Sequence, residues 1–246
     1  MRVSNITFTG ADDTTSIAHL EEVSTYFPFV EWGILFPSTG NHRFPSRQWV
    51  APLVDSSLTL SAHLCGAFVT NAVRGNITTF AGLVGVDLFN KFKRIQLNFH
   101  GLPVDMILDK ANFRNLIDKL RQEVIVQMDG ENDWIQEIHP QTSLLFDTSS
   151  GAGRTPFAWP SVIEGRKCGY AGGLGPDNLK AELDYLDYFL PEDTVIWVDM
   201  ETKIRTIGFT DRKHLSTHDY FDIDRVMQCA EIVAPYIAQE TYVSSA

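Results

Sequence analysis

Two segments hold most of the residues whose types and spacing could do chemistry. In LLFDTSSGAGRTPFAWP, residues 144–160, an apolar strand-like stretch ends in Asp147 and leads into a Ser/Gly-rich loop containing Gly151 and Gly153. Glycines let backbone amides approach an anion and let a loop fold over a substrate. In YAGGLGPDN, residues 170–178, a second such stretch passes through Gly172 and Gly173 into a helix start. Their amides, together with the dipole of a short helix, would seat a phosphate. Other short apolar runs also end in polar residues at a spacing of two: Thr7 and Thr9; Ser61, His63 and Cys65; Gln96, Asn98 and His100; Gln127 and Asp129; Leu145 and Asp147; Asp199 and Glu201. Strand residues two apart share a face, so each set would point into one pocket if the strands lay side by side.

The elements that must position these groups are legible as an alternation. Apolar or β-branched runs bounded by turn residues occur at 3–9, 30–36, 58–65, 94–99, 124–128, 143–146, 168–171 and 195–200. Helical spacing appears between and after them: Phe113, Leu116, Ile117 and Leu120; Leu179, Leu183, Leu186 and Leu190; Ile223, Val226, Met227, Ala230, Val233 and Ile237. Each is an apolar stripe that must face a sheet. Asp177 and Asp222 stand where N-terminal caps are expected. Strand then helix, repeated eight times, predicts a single (β/α)8 barrel over 1–246, with a polar insertion at about 208–221 before the last helix. An open doubly wound sheet would carry a glycine-rich turn after its first strand, whereas FTGADDTTS offers one glycine. In a barrel, active sites lie at the carboxyl ends of the strands, where the polar residues fall.

Composition narrows the partners. With 20 Lys+Arg against 31 Asp+Glu the net charge is −11, so the clustered cations that a nucleic-acid surface needs are absent. No long uncharged apolar run could cross a bilayer. The segment MRVSNITFTG lacks the pattern of a secretory signal, and a cytoplasmic location is expected. Cys65, Cys168 and Cys229 form an odd set without CxxC spacing, which points to reduced thiols and neither a disulfide framework nor a zinc cluster. A phosphorylated small-molecule substrate, no cofactor and a monomer or homodimer are expected.

At 144–160 and 170–178 the chain resembles phosphoribosylanthranilate isomerase, a ribulose-phosphate-binding barrel that performs an Amadori rearrangement. FTG at 8–10 stands where the family has its first-strand Lys-Ile-Cys-Gly, and GILFPSTGNHRFPS at 33–46 is similar to the second-strand segment ending in Ser-Pro-Arg. QLNFHG at 96–101 is similar to the fourth-strand Gln-Leu-His-Gly with an insertion, and WVDM at 197–200 to the eighth strand. The resemblance implies that Asp147 is the general acid for sugar ring opening and that Arg43 holds a substrate carboxylate. It also implies that Gly172 and Gly173 bind phosphate and that Asp199 is the eighth-strand aspartate at the substrate. Asn98 and His100 are expected beside it, and Gly151 and Gly153 at the phosphate.

The chain departs from this pattern where Thr9 occupies the position of the family's catalytic cysteine. A hydroxyl without an activator cannot abstract a carbon-bound proton as a thiolate can. The base is therefore expected elsewhere, at Cys65 or His63, with Asp12 and Asp13 next. Glu201 opposes a phosphate dianion unless Lys203 or Arg205 compensates. A Schiff-base aldolase finds no inward strand-end lysine, since Lys167 precedes its strand and Lys203 follows the last. Two other readings stay open: a barrel that binds a phosphorylated metabolite without catalysis, and a metal-dependent lyase or hydrolase drawing on His63, His100, Asp129, Asp147, Asp199 and Glu201.

Overall fold

Eight parallel strands close into a barrel in chain order: β1 (Arg2–Thr9), β2 (Val30–Phe36), β3 (Leu60–Leu64), β4 (Arg94–Leu97), β5 (Glu123–Met128), β6 (Ser143–Phe146), β7 (Cys168–Ala171) and β8 (Val195–Met200), with β8 pairing back to β1. All eight segments coincide with the runs read from the sequence, to within two residues at their ends. The computed structural model describes residues 1–37, 43–99, 108–130, 132–147, 153–209 and 217–238, with 133, 207–209 and 217–218 described by backbone alone. Among the described residues, no helix is long and apolar enough to cross a membrane.

The connections are less regular than a strand–helix repeat. The helices are α1 (Ile17–Tyr26), α2 (Arg47–Val50), α3 (Ala67–Val73), α4 (Thr78–Val84), α5 (Val86–Lys91), α6 (Lys110–Lys119), α7 (Leu179–Phe189) and α8 (Ile223–Val233). β5 is followed by a single 3-10 turn, Asp133–Glu137, and no described residue between β6 and β7 is helical. The expectation of a helix after every strand is thus corrected: Trp159, 4% exposed, covers that face edge-on to Tyr170 instead. Asp222 caps α8, accepting from the amides of Asp224 (3.0 Å) and Arg225 (3.4 Å). Asp177 does not cap α7. Asn178 occupies that position and folds its amide back, accepting from the Gly175 N–H (2.9 Å) and donating to the Gly173 carbonyl (3.0 Å), while Asp177 pairs with Arg225 on α8 (3.2 Å).

Two cores result. The larger lies between the strands' outer faces and the helices, where Phe8, Trp32, Ile34, Leu60, Leu183 and Val226 are fully buried, each worth roughly 1.5–3 kcal/mol of burial. The smaller fills one side of the barrel interior with Ile125, Leu145, Ala171 and Trp197. The other side is polar. The Arg94 guanidinium lies across Glu31 (Nε–Oε2 2.9 Å), donates to the Thr7 hydroxyl (2.8 Å) and stacks 4.8 Å from the Trp197 ring centroid. This ion pair lies one inward layer below Thr9 and Asp199, against Thr7 and Trp197.

The insertion after β8 contains an antiparallel pair, β9 (Arg205–Phe209) with β10 (Thr217–Phe221). Its intervening residues, including Asp211, Arg212, Lys213 and His214, lie outside the described residues. Arg205, 7% exposed, fastens the hairpin to the barrel rim: it donates to the Gly10 carbonyl (2.6 Å) and pairs with Asp12 (2.7 Å) and Asp219 (3.3 Å).

Candidate active site

A cavity of about 460 Å³ opens at the carboxyl ends of the barrel strands. Thr9, Arg43, His63, Cys65, Asn98, Asp147, Gly153, Gly172, Gly173 and Asp199 all line it. His100 and Gly151 lie outside the described residues. Strand alternation delivers these groups: Thr9 sits two residues above Thr7, which faces the barrel interior, and Asp199 two above Trp197. Asp129, expected on the rim, is not in the wall but closes a turn with Asn132, whose amide donates to it (3.2 Å). Asp12 and Asp13 bind backbone and side chains of the rim: Asp12 pairs with Arg205, and Asp13 accepts from the Ser46 amide (2.6 Å).

The floor is a hydrogen-bonded row. Thr9 donates to Asp199 (2.8 Å) and lies 3.4 Å from Nδ1 of His63. Gln96 donates to the same Nδ1 (3.2 Å) and to Asn98 (3.0 Å), and Asn98 donates to the Cys65 sulfur (3.4 Å). Because the Gln96 amide nitrogen is a donor, Nδ1 must accept, and the imidazole proton resides on Nε2. Gly33 makes the row possible: a Cβ there would fall 2.3 Å from the Thr9 hydroxyl and 2.8 Å from the imidazole Cε1. On the far wall Gln127 accepts from the Phe99 amide (3.0 Å) and donates to Asp147 (2.9 Å), fixing that carboxylate.

Burial sets the protonation of the row. The Asp199 carboxyl is pushed up to about 7 by desolvation, against the lowering effects of the Thr9 hydrogen bond and the Arg94 charge. His63 is driven down to about 3, by desolvation first and by Arg94 second, so its ring is neutral at ordinary pH. Desolvation raises the Cys65 thiol as well, and the neighbouring Glu201 adds to the rise. Burial thus moves Cys65 away from the thiolate and weakens His63 as a base. Glu201 itself is raised by burial, opposed by Arg43 and Arg205.

The glycine bend after β7 has a steric reason. Gly173 adopts φ +62°, and a Cβ there would meet the Thr155 amide at 2.4 Å and the Gly153 carbonyl at 2.9 Å. A Cβ on Gly153 would in turn meet Thr202 at 2.9 Å. The loops after β6, β7 and β8 therefore converge at one corner of the cavity. Arg43 reaches along the rim to Asp219 (2.5 Å) and Glu201 (3.5 Å). Among the described residues, no three of His, Cys, Asp and Glu are grouped so as to hold a metal ion.

Sequence reading missed Gly33, whose signal is only its place between Glu31 and Leu35 on an inward face. It recognised Gln96 and Gln127 as rim residues without giving them the holding of His63 and Asp147. The ion pairs of Arg43 had no signal at all, since Asp219 lies 176 residues away.

No family model and no curated protein matches the chain. Solved structures do. Phosphoribosyl anthranilate isomerase from Thermus thermophilus aligns over 94% of this chain and 98% of its own with a TM-score of 0.57 at 13% identity. N-(5'-phosphoribosyl)anthranilate isomerase from Pyrococcus furiosus aligns over 94% and 99% (TM-score 0.55, 12% identity), and phosphoribosyl anthranilate isomerase from Thermococcus kodakaraensis over 94% and 98% (0.53, 13%). At such identity the likeness establishes a shared barrel fold.

Proposed function

We propose that the protein is an acid–base isomerase of a sugar or a sugar–amine conjugate, with Asp199 as the base and Asp147 as the acid. The observation that carries this reading is the state of Asp199: a carboxyl brought to about 7 by burial and held by Thr9, at 2.8 Å, where the resemblance implies a catalytic thiolate. A base poised near the working pH is half ionised while keeping a useful proton affinity. In the reaction, Asp147 gives a proton to the ring oxygen as the C1–O bond breaks, and the amine lone pair forms a protonated C=N. Asp199 then takes the C2 proton and the C2–H electron pair forms the enolamine; Asp199 returns that proton to C1 while the C2 hydroxyl gives up its own, which restores Asp147, and the ketone results. Gln127 and Thr9 keep the two carboxylates in place. His63, neutral, contributes a fixed polar wall and no proton.

Exchange of the C2 proton tests this directly. In D2O, with a panel of aldoses and ribosylamines followed by proton NMR, the wild-type chain is expected to wash out the C2 proton of its substrate. Asp199→Asn should slow that washout about 10²–10⁴-fold; an undiminished rate removes Asp199 from the base role. Asp147→Asn should block conversion of ring-closed substrate while sparing C2 exchange of an open-chain analogue. Thr9 in place of a thiol also favours a second reading, a barrel that binds its sugar without turning it over. Binding without exchange in any member of the panel would decide for that one.

A further inference from the structure

We infer that the cavity selects an amine-bearing sugar without phosphate, such as an aminosugar or glycosylamine, in place of the phosphate- and carboxylate-bearing conjugate that the family resemblance implies. The inference rests on the acid–base reading for the identity of the sugar half, and on the charge distribution for the rest.

Asp147, Asp199 and Glu201 line the cavity, and Arg43 is its single cationic lining residue among those described. The chain itself engages that guanidinium, one end on Asp219 and the other on Glu201. The second guanidinium of the rim, Arg205, is closed off by Asp12, Asp219 and the Gly10 carbonyl. A substrate carboxylate at Arg43 would have to compete with Glu201 and Asp219 for the guanidinium and would be repelled by both. At the glycine corner the same balance holds. Gly153, Gly172, Gly173 and Thr202 give the shape of an anion seat, and Glu201 is the chain neighbour of Thr202 on the same wall. A phosphate dianion there meets a cation already shared with Glu201 and would have to compete with that carboxylate for Arg43.

An ammonium or protonated imine meets the opposite field. The Gln96 side-chain oxygen, on a residue only 4% exposed and in the cavity wall, has no hydrogen-bond partner and accepts. The reaction itself generates cation: protonation of the ring oxygen and rupture of C1–O leave positive charge on the C=N nitrogen until the C2 proton departs. Carboxylates fixed around that nitrogen stabilise the charged stage more than the neutral substrate, which is the differential effect catalysis requires.

The test is titration calorimetry on the full chain at low ionic strength with four probes: 1-amino-1-deoxyfructose, fructose, ribose 5-phosphate and inorganic phosphate. The amine is expected to bind about tenfold or more tighter than fructose, with an affinity that falls as salt is added, and both phosphates more weakly than fructose. Glu201→Gln should remove most of the amine's advantage. Should that variant not fold, the salt dependence of the wild-type protein gives the same reading. Either phosphate binding more tightly than fructose, or no binding of the amine, overturns the inference. Deuterium exchange in the same samples separates this from the acid–base reading. Amine preference without exchange defeats the reading and keeps the charge selectivity, whereas phosphate preference with exchange does the reverse.

Discussion

Asp199 and His63 are separated by one hydroxyl, that of Thr9, and burial moves their protonation in opposite directions. Asp199 rises from 3.8 to about 7, so between those values the folded chain holds a proton that the unfolded chain has lost, and stability falls with rising pH. His63 drops from 6.5 to about 3, so in its window the unfolded chain holds the extra proton and stability rises with pH. Each contributes a slope of about 1.4 kcal/mol per pH unit, and from about pH 4 to 6.5 the two slopes oppose each other. Asp199→Asn keeps the shape and the bond to Thr9 while removing the first slope. Its stability advantage over the wild type should grow from near zero at pH 4 to about 4 kcal/mol at pH 7 and then level off. Urea denaturation at a series of pH values measures this, and a pH-independent difference would show that the carboxyl is solvated. The residues of the row were legible as rim residues because a spacing of two puts them on one face. Their protonation was not, because desolvation depends on what the other strands bring, and the sequence ranks Cys65 and His63 as bases by residue type and shared face.

At the scale of elements, two interior glycines set what their neighbours can be. Gly33 on β2 leaves room for Thr9 and His63, and Gly169 on β7 lies under the Trp197 ring, 2.1 Å from where a Cβ would stand. Gly33→Ala should therefore break the Thr9–Asp199 bond before it breaks the barrel. Overpacking of this kind costs about 1–3 kcal/mol, and C2 exchange should fall with it; an alanine variant with unchanged melting temperature and exchange would mean the row can shift freely. The hairpin supplies the second case. Arg205→Met removes the cation buried against Asp12, leaving Asp219 to Arg43, a loss of about 3–5 kcal/mol. Amide hydrogen exchange should quicken across β9 and β10 first, since Arg205 is their tie to the barrel rim. A uniform loss of protection throughout the chain would instead make the hairpin part of the global folding unit. The eight strands were readable because β-branched and apolar runs carry their own signal. That no described residue after β6 is helical was not, because a segment that buries Trp159 covers a sheet face without any 3.6-residue period.

The whole molecule is organised around an interior divided lengthwise, apolar where Ile125, Leu145, Ala171 and Trp197 meet and charged where Arg94 meets Glu31. Nothing in the sequence announces that pair, whose members lie 63 residues apart and join only when the barrel closes. Its field extends upward: Arg94 lowers the affinity of both Asp199 and His63 for protons, so the buried ion pair tunes the site from beneath. Removing one member should be far worse than removing both. Arg94→Met strands the Glu31 carboxylate in the barrel and should cost about 3–5 kcal/mol, whereas Arg94→Met with Glu31→Leu replaces the pair by apolar volume and should recover most of that loss. The double-mutant cycle reads the coupling directly, and additive costs would mean that water reaches the barrel floor and screens the pair. In the double variant Asp199 loses one neighbour that lowers it and one that raises it, the lowering charge being the larger. Its midpoint, followed through the pH dependence of C2 exchange, should therefore move upward only slightly, while the single Arg94→Met variant moves it further in the same direction. A fall in either variant would show that the guanidinium acts on the site through packing against Trp197 and not through its charge.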